Sequence, residues 1–161
     1  MNILIDTNII AEYFEHRAQY GFVRPILQAV RDGHHKGFIT QGTVYTLTYL
    51  AERALKRNDI HEPELTDRLR EIMLSIMQLF EPIGISKYEF IKAIQNRDFT
   101  DLEDSMQMQA AISHKCPVLL TININDYKKS TDNGVELLTP QEFVERYMNP
   151  KNHNAYDIVT T

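Results

Sequence analysis

Cysteine is nearly absent from this chain: Cys116 is the single one in 161 residues. No internal disulfide can form, and one sulfur cannot build a thiolate zinc cluster. A fold that needs no disulfide suits a reducing compartment, so a cytoplasmic location is expected. Long apolar runs are missing too. No stretch reaches the roughly 18 apolar residues of a membrane span, and no membrane partner is expected. The opening Met1-Asn2-Ile3-Leu4-Ile5-Asp6 has neither a basic start nor a long apolar segment, so it does not read as a secretory signal. Glycine is scarce, at six residues, and no Gly-rich loop follows a strand. That excludes a P-loop or a dinucleotide fingerprint. Positive charge is in deficit as well: 17 Lys and Arg stand against 22 Asp and Glu, for a net charge of −5. Bulk attraction to nucleic acid is therefore excluded, and a polyanionic substrate would need a local basic patch or bridging cations.

What remains is ordinary globular composition, with 43% hydrophobic and 24% charged residues. A chain of this length can bury roughly 70% of its unfolded surface around one core. Short apolar runs read as buried strands: Ile3–Ile5, Gly37–Thr40, Pro82–Ser86, Pro117–Thr121 and Val135–Leu138. Between them lie helical patterns at Tyr20–Arg31, Val44–Leu55, Glu64–Phe80, Lys87–Gln95 and Asp101–His114. Leu47, Tyr49, Leu50 and Ala54 are expected to face inward. Thr139 and Pro140 are the expected N-cap and first residue of a closing helix, Gln141–Tyr147. Alternating strands and helices predict an α/β three-layer sandwich with a short, mainly parallel central sheet. One domain is expected over residues 1–148, followed by a mobile tail over 149–161 that lacks periodicity.

In such sheets ligands collect at the carboxyl ends of the strands. That rule selects Asp6, Thr40 and Thr121, and the acids cluster there. Asp6 follows the first strand, Asp101, Glu103 and Asp104 open the helix before the fourth, and Asn123 and Asp126 follow the fourth. Crowded carboxylates repel unless a cation lies between them. A hard, oxygen-loving ion, Mg²⁺ or Mn²⁺, suits that donor set, and such sites act on phosphates. Plainer readings stand beside this one. Asp6 and Asp101 could cap helices, Asp104 could complement a helix dipole, Asp126 could be a turn residue, and Glu103 a solvated acid. The six histidines form no ligand set, and Cys116 reads as a small buried apolar residue. The stripe Met73, Ile76, Met77 and Leu79 reads as core, or in part as a dimer face.

Four segments in order carry a more specific signal: Ile5-Asp6-Thr7-Asn8-Ile9-Ile10, Leu102-Glu103-Asp104-Ser105-Met106-Gln107, Leu120-Thr121-Ile122-Asn123-Ile124-Asn125-Asp126-Tyr127, and Leu137-Leu138-Thr139-Pro140-Gln141-Glu142-Phe143. Over about residues 2–146 the chain resembles a PIN domain, closest to the bacterial stand-alone PIN proteins. The resemblance implies a metal-dependent ribonuclease, in many members the toxin of a toxin–antitoxin pair. RNA is then the substrate, an antitoxin protein a partner, and a homodimer the assembly. By position, Asp6, Asp104 and Asp126 match the shared catalytic and metal-binding aspartates, and Asp101 an extra acid of this branch. Asn8, Thr121 and Asn123 match supporting polar positions. Many PIN domains carry a glutamate where Thr46 stands here, and Glu52 lies nearly two turns further on. Thr46 would then orient water rather than hold the ion. Among the cations, Lys128 and Lys129 rank first for positioning phosphate because they follow Asp126 directly; Arg17, Lys36, Lys87 and Arg97 rank lower. The alternative is a PIN-fold module that binds RNA or a protein without cleaving. A receiver-like or phosphatase reading is disfavoured because no second acid adjoins Asp6.

Overall fold

The computed structural model describes residues 1–124 and 134–149. Its sheet has five strands: β1 (Asn2–Ile5), β2 (Lys36–Thr40), β3 (Glu81–Ile83), β4 (Val118–Leu120) and β5 (Glu136–Leu138). All are parallel, in the order β3-β2-β1-β4-β5. Six helices accompany them: α1 (Thr7–Phe14), α2 (Tyr20–Arg31), α3 (Gln41–Arg57), α4 (Glu64–Leu79), α5 (Lys87–Gln95) and α6 (Leu102–Ser113). A short α7 (Pro140–Phe143) runs into a wider π-helical turn, Val144–Met148.

Strand pleating splits the apolar runs between two cores. Ile3, Ile5, Ile39, Val118 and Leu120 face one side of the sheet, where they meet Ile9, Ile10, Val23, Ile26, Leu47, Ile76 and Phe143. Leu4, Phe38 and Leu119 face the other, with Ile83, Phe99, Met108 and Ala111. Successive side chains of a strand point to opposite faces. A strand apolar at every position therefore needs a helix layer on both sides, and the result is three layers. Each fully buried Leu or Ile contributes roughly 1.5–3 kcal/mol.

Local chemistry sets the boundaries. The β1–β2 crossover ends α2 with Gly33 at φ 80, a left-handed turn that favours glycine. Gly37 lets β2 approach α2 and α4: a Cβ there would lie 2.9 Å from both Phe80 and Val30. Thr139 caps α7, accepting from Glu142 N, while the Glu142 side chain accepts from Thr139 N. Pro140 sits at the start of α7 as expected. Cys116 is buried, and burial pushes its thiol up to about 11, in keeping with an inert core residue. The Met73–Leu79 stripe packs on the first core.

Several expectations need correction. Tyr49 is 59% exposed rather than inward. It lies about 200° around the helix from Leu47, so the pair cannot share a face. Strand β3 stops at Ile83, and Ser86 instead caps α5, accepting from Glu89 N while the Glu89 carboxylate accepts from Ser86 N. Asp101 and His114 flank α6 as caps rather than belonging to it. The closing helix changes from α to π after Phe143.

Glu89 gives this side of the fold a pH signature. Ser113 Oγ and Ser86 both donate to its carboxylate, and the Ser86 backbone N–H adds a third bond; together they hold its pKa down at about 2. A depressed carboxyl stabilises the fold above its unfolded value near 4.5 and loses that contribution as pH falls toward 2. The Glu89→Gln protein is expected to melt lower than wild type at pH 7, with the gap closing between pH 4.5 and 2. Thermal scans across that range check it.

Candidate active site

The strand order reverses at β1. Its neighbours β2 and β4 lead outward in opposite directions, leaving a crevice beyond the carboxyl ends of β1 and β4. Asp6 and Thr121 emerge there. The backbone N–H of Asp6 donates to Leu120 O at 3.0 Å, and that of Thr121 to Leu138 O at 3.1 Å, so the ladder fixes both residues as it ends.

Asp6 occupies the N-cap position of α1 without making a side-chain cap hydrogen bond. Its carboxylate is only 5% exposed and is held by three neutral donors from three elements. Asn8 Nδ2 donates to Oδ2 at 2.5 Å, Thr121 Oγ1 to the same oxygen at 2.8 Å, and Gln107 Nε2 to Oδ1 at 3.0 Å. Around them the network closes. Asn8 Nδ2 also donates to Thr121 Oγ1 at 3.2 Å, Asn123 N to Thr121 Oγ1 at 3.1 Å, and Ile122 N to Asn8 Oδ1 at 3.4 Å. Among the described residues no Lys, Arg or His forms a salt bridge with Asp6. A carboxylate has about four acceptor sites. Among the described residues three donors fill these sites, two on Oδ2 and one on Oδ1.

Helix α6 brings the second group. Asp104 is 7% exposed and lies one helical turn before Gln107, on the same face. Asp101 caps the helix: its Oδ1 accepts from Glu103 N at 2.8 Å and Asp104 N at 3.4 Å. Glu103 stands at the surface, but its carboxyl is partly withdrawn from water. That desolvation raises its pKa, and the charges of Asp6 and Asp101 raise it further. The electrostatic coupling places Glu103 within the field of Asp6. Thr46, on α3, lines a cavity together with Glu103 and Gln107. A chain of threonines fixes that wall: Thr7 Oγ1 donates to Thr43 Oγ1 at 3.0 Å, and Thr43 N to Thr40 Oγ1 at 3.1 Å.

The structure thus brings Asp6, Asn8, Thr121 and Asn123 together, with Asp104 on the helix that supplies Gln107. Asp126, Lys128 and Lys129 lie outside the described residues. Among the described residues no three His, Cys, Asp or Glu side chains group to hold a metal ion. Gln107, which the sequence shows only as the last residue of a motif without a role of its own, is the further residue that the structure brings to Asp6. Its signal was present, three positions after Asp104 and so on the same helix face.

A family model described as a PIN domain matches residues 2–125, more than three quarters of the chain. This chain belongs to the PIN domain family. Solved structures with the same fold include VapBC2 from Rickettsia felis bound to a DNA fragment from its promoter, at 18% identity and TM-score 0.59, covering 86% of this chain and 98% of that one. A toxin–antitoxin complex from Klebsiella pneumoniae is similar at 20% identity and TM-score 0.58, covering 86% and 97%. No curated protein matches. At these identities the structural likeness speaks for the PIN fold alone, and the crevice at the carboxyl edge of this PIN domain is where Asp6 and Thr121 meet. Among its described residues no helix is long and apolar enough to cross a membrane.

Proposed function

We propose that this PIN domain is a metal-dependent ribonuclease that hydrolyses phosphodiester bonds of RNA, acting as the toxin of a toxin–antitoxin pair. The observation that carries the reading is the Asp6 carboxylate: buried, oriented by three neutral donors, and without a cationic partner among the described residues. A buried charge needs compensation, and a donor set made only of oxygens suits Mg²⁺ or Mn²⁺. Asp6, Asp104 and Asp126 would hold the ion, with the remaining Asp101 oxygen as a fourth donor. A divalent cation there supplies charge neutralisation for phosphate and a lowered pKa for water.

The protein's own groups do the rest. Asn8, Thr121 and Gln107 lock the Asp6 carboxylate so that no reorganisation is needed during the reaction. Asn123, through its backbone bond to Thr121, keeps the β4 end in register with Asp6. Thr46 orients water at the cavity wall, and Lys128 and Lys129 position phosphate. An antitoxin would neutralise the acids by placing an arginine against them, since guanidinium and carboxylate pair bidentately. Two copies are proposed to pair through the exposed apolar side of α5, where Tyr88, Ile91 and Ile94 face solvent. The compartment is the cytoplasm.

Thr46 favours a second reading, a PIN-fold module that binds RNA or a protein partner without cleaving, because a neutral side chain stands where many PIN domains carry a carboxylate. Labelled RNA incubated with Mn²⁺ separates the two. The nuclease reading expects cutting by wild type that EDTA abolishes and that Asp104→Asn lowers at least a hundredfold. Equal cutting by that variant contradicts the site. Binding without cutting at any Mg²⁺ or Mn²⁺ concentration favours the module, and Thr46→Glu is then expected to gain activity.

A further inference from the structure

Next to Gln107, which holds Asp6, lies a cavity of about 300 Å³, between the start of α3, α5, α6 and the loop after β3. Ile83, Ile85, Phe90 and Met106 form its apolar walls, and Gln41, Thr46, Glu103 and Gln107 its polar side. The volume sits at the lower end of small-molecule pockets, roughly 300 Å³. Gln107 is only 3% exposed. Its Nε2 must face Asp6, because an ionised carboxylate only accepts. That leaves Oε1 turned away from Asp6 as a buried acceptor with no hydrogen-bond partner among the described residues. A buried polar atom without a partner is costly in a protein interior, and Gln107, which lines this cavity, would regain a bond by turning Oε1 to a ligand's donor. Glu103 stands one turn earlier on the same face of α6, and its carboxylate is a second acceptor. Phe90 is exposed in part and is the aromatic residue of the wall.

We propose that this cavity receives an unpaired guanine base of the substrate strand, next to the phosphate that is cut. The match is chemical. Two acceptors one helical turn apart meet two adjacent donors, N1–H and the exocyclic amino group, on the Watson–Crick edge of guanine. Single-stranded RNA is read in this manner, by edge hydrogen bonds and by stacking on aromatic rings. Uracil presents one donor between two carbonyls, and its carbonyls would face the Glu103 and Gln107 oxygens. Adenine and cytosine offer an amino group but an acceptor ring nitrogen beside it. The assignment rests on the nuclease reading for its substrate, and its test separates the two.

The probes are the four ribonucleosides, which carry no phosphate and need no metal. They are titrated in EDTA against wild type and Phe90→Ala, followed by the NMR signals of the glutamine side-chain amides. Guanosine is expected to bind at least tenfold tighter than uridine and to shift the Gln107 amide. Phe90→Ala is expected to weaken guanosine roughly tenfold, the usual loss on removing a stacking ring. No binding, equal binding of all four, a preference led by another base, or guanosine binding indifferent to Phe90→Ala each overturns the pocket. In a parallel cleavage assay with Mn²⁺, wild type is expected to cut beside guanine, while Phe90→Ala loses that preference. Cutting with flat nucleoside binding overturns the pocket and leaves the nuclease. Selective guanosine binding without cutting of any RNA overturns the nuclease and leaves the pocket.

Discussion

Asp6→Asn is expected to lower metal-dependent RNA cleavage by at least about a hundredfold while the protein remains folded. The substitution keeps the shape of the side chain and removes its charge. It also turns one acceptor oxygen into an NH₂ donor. Oδ2 accepts from Asn8 and Thr121, and Oδ1 from Gln107. With its oxygen at the Oδ2 position the new NH₂ faces Gln107, whose amide can flip to accept it, but every bond loses the strength that the carboxylate charge gave it. The cost is about 1–3 kcal/mol, or a melting temperature lower by roughly 2–12 °C for a domain of this size. Glu103 offers a readout independent of activity. Burial is the largest cause of its raised pKa, and the charge of Asp6 is the next. With that charge gone, Glu103 is expected to titrate at lower pH in the variant than in wild type, though still above an exposed glutamate. Carbon-detected NMR of the side-chain carboxyls measures it. An unchanged Glu103 titration with wild-type cleavage would remove Asp6 from the site.

Phe143→Ala carries the largest expected effect on stability, about 3–5 kcal/mol. Phe143 is fully buried in the core shared by β1, β4, α1 and α2. Its ring meets His35 edge-on, centroids 5.5 Å apart at 80°, and lies 5.2 Å from Tyr147. No neighbouring side chain can swing into the vacated space without leaving its own packing. A melting temperature lower by roughly 6–20 °C follows. The site feels the change indirectly, because the same segment carries Leu138, whose carbonyl accepts from Thr121 N. Calorimetric melting of wild type and variant checks it; a loss below about 1 kcal/mol would mean the closing helix is not a structural part of the core.

The contrast between these two residues marks what could be read in advance. Asp6 was legible because it ends a run apolar at every position, and a carboxylate after a doubly covered strand has few reasons to be there. Thr121 is legible by the sheet-edge rule, and Asp104 by the cluster of acids that opens the helix before β4. Phe143 stood in a quoted motif with no physical role until the core appeared around it. Gln107 stayed silent because an amide has no sequence-level chemistry of its own; its meaning comes from the carboxylate it reaches, 101 positions away in the chain. Ser86 carries two local signals: Ser-x-x-Glu is a helix-start signature, while the apolar residues before it favour a longer strand, and the cap wins. Tyr49 was misplaced by counting apolar residues without their angles. The cavity next to Gln107 joins the start of α3 to the stretch from β3 through α6, and no local pattern announces it.

Mn²⁺ binding measured by calorimetry on wild type and Asp104→Asn in parallel tests the central claim most directly, because it needs no substrate and no contaminating nuclease can imitate it. Saturable binding by wild type, weakened at least tenfold in Asp104→Asn with the fold intact, is the result expected of a carboxylate cluster built around Asp6 and Asp104. Equal binding by both proteins, or none by either, would contradict it.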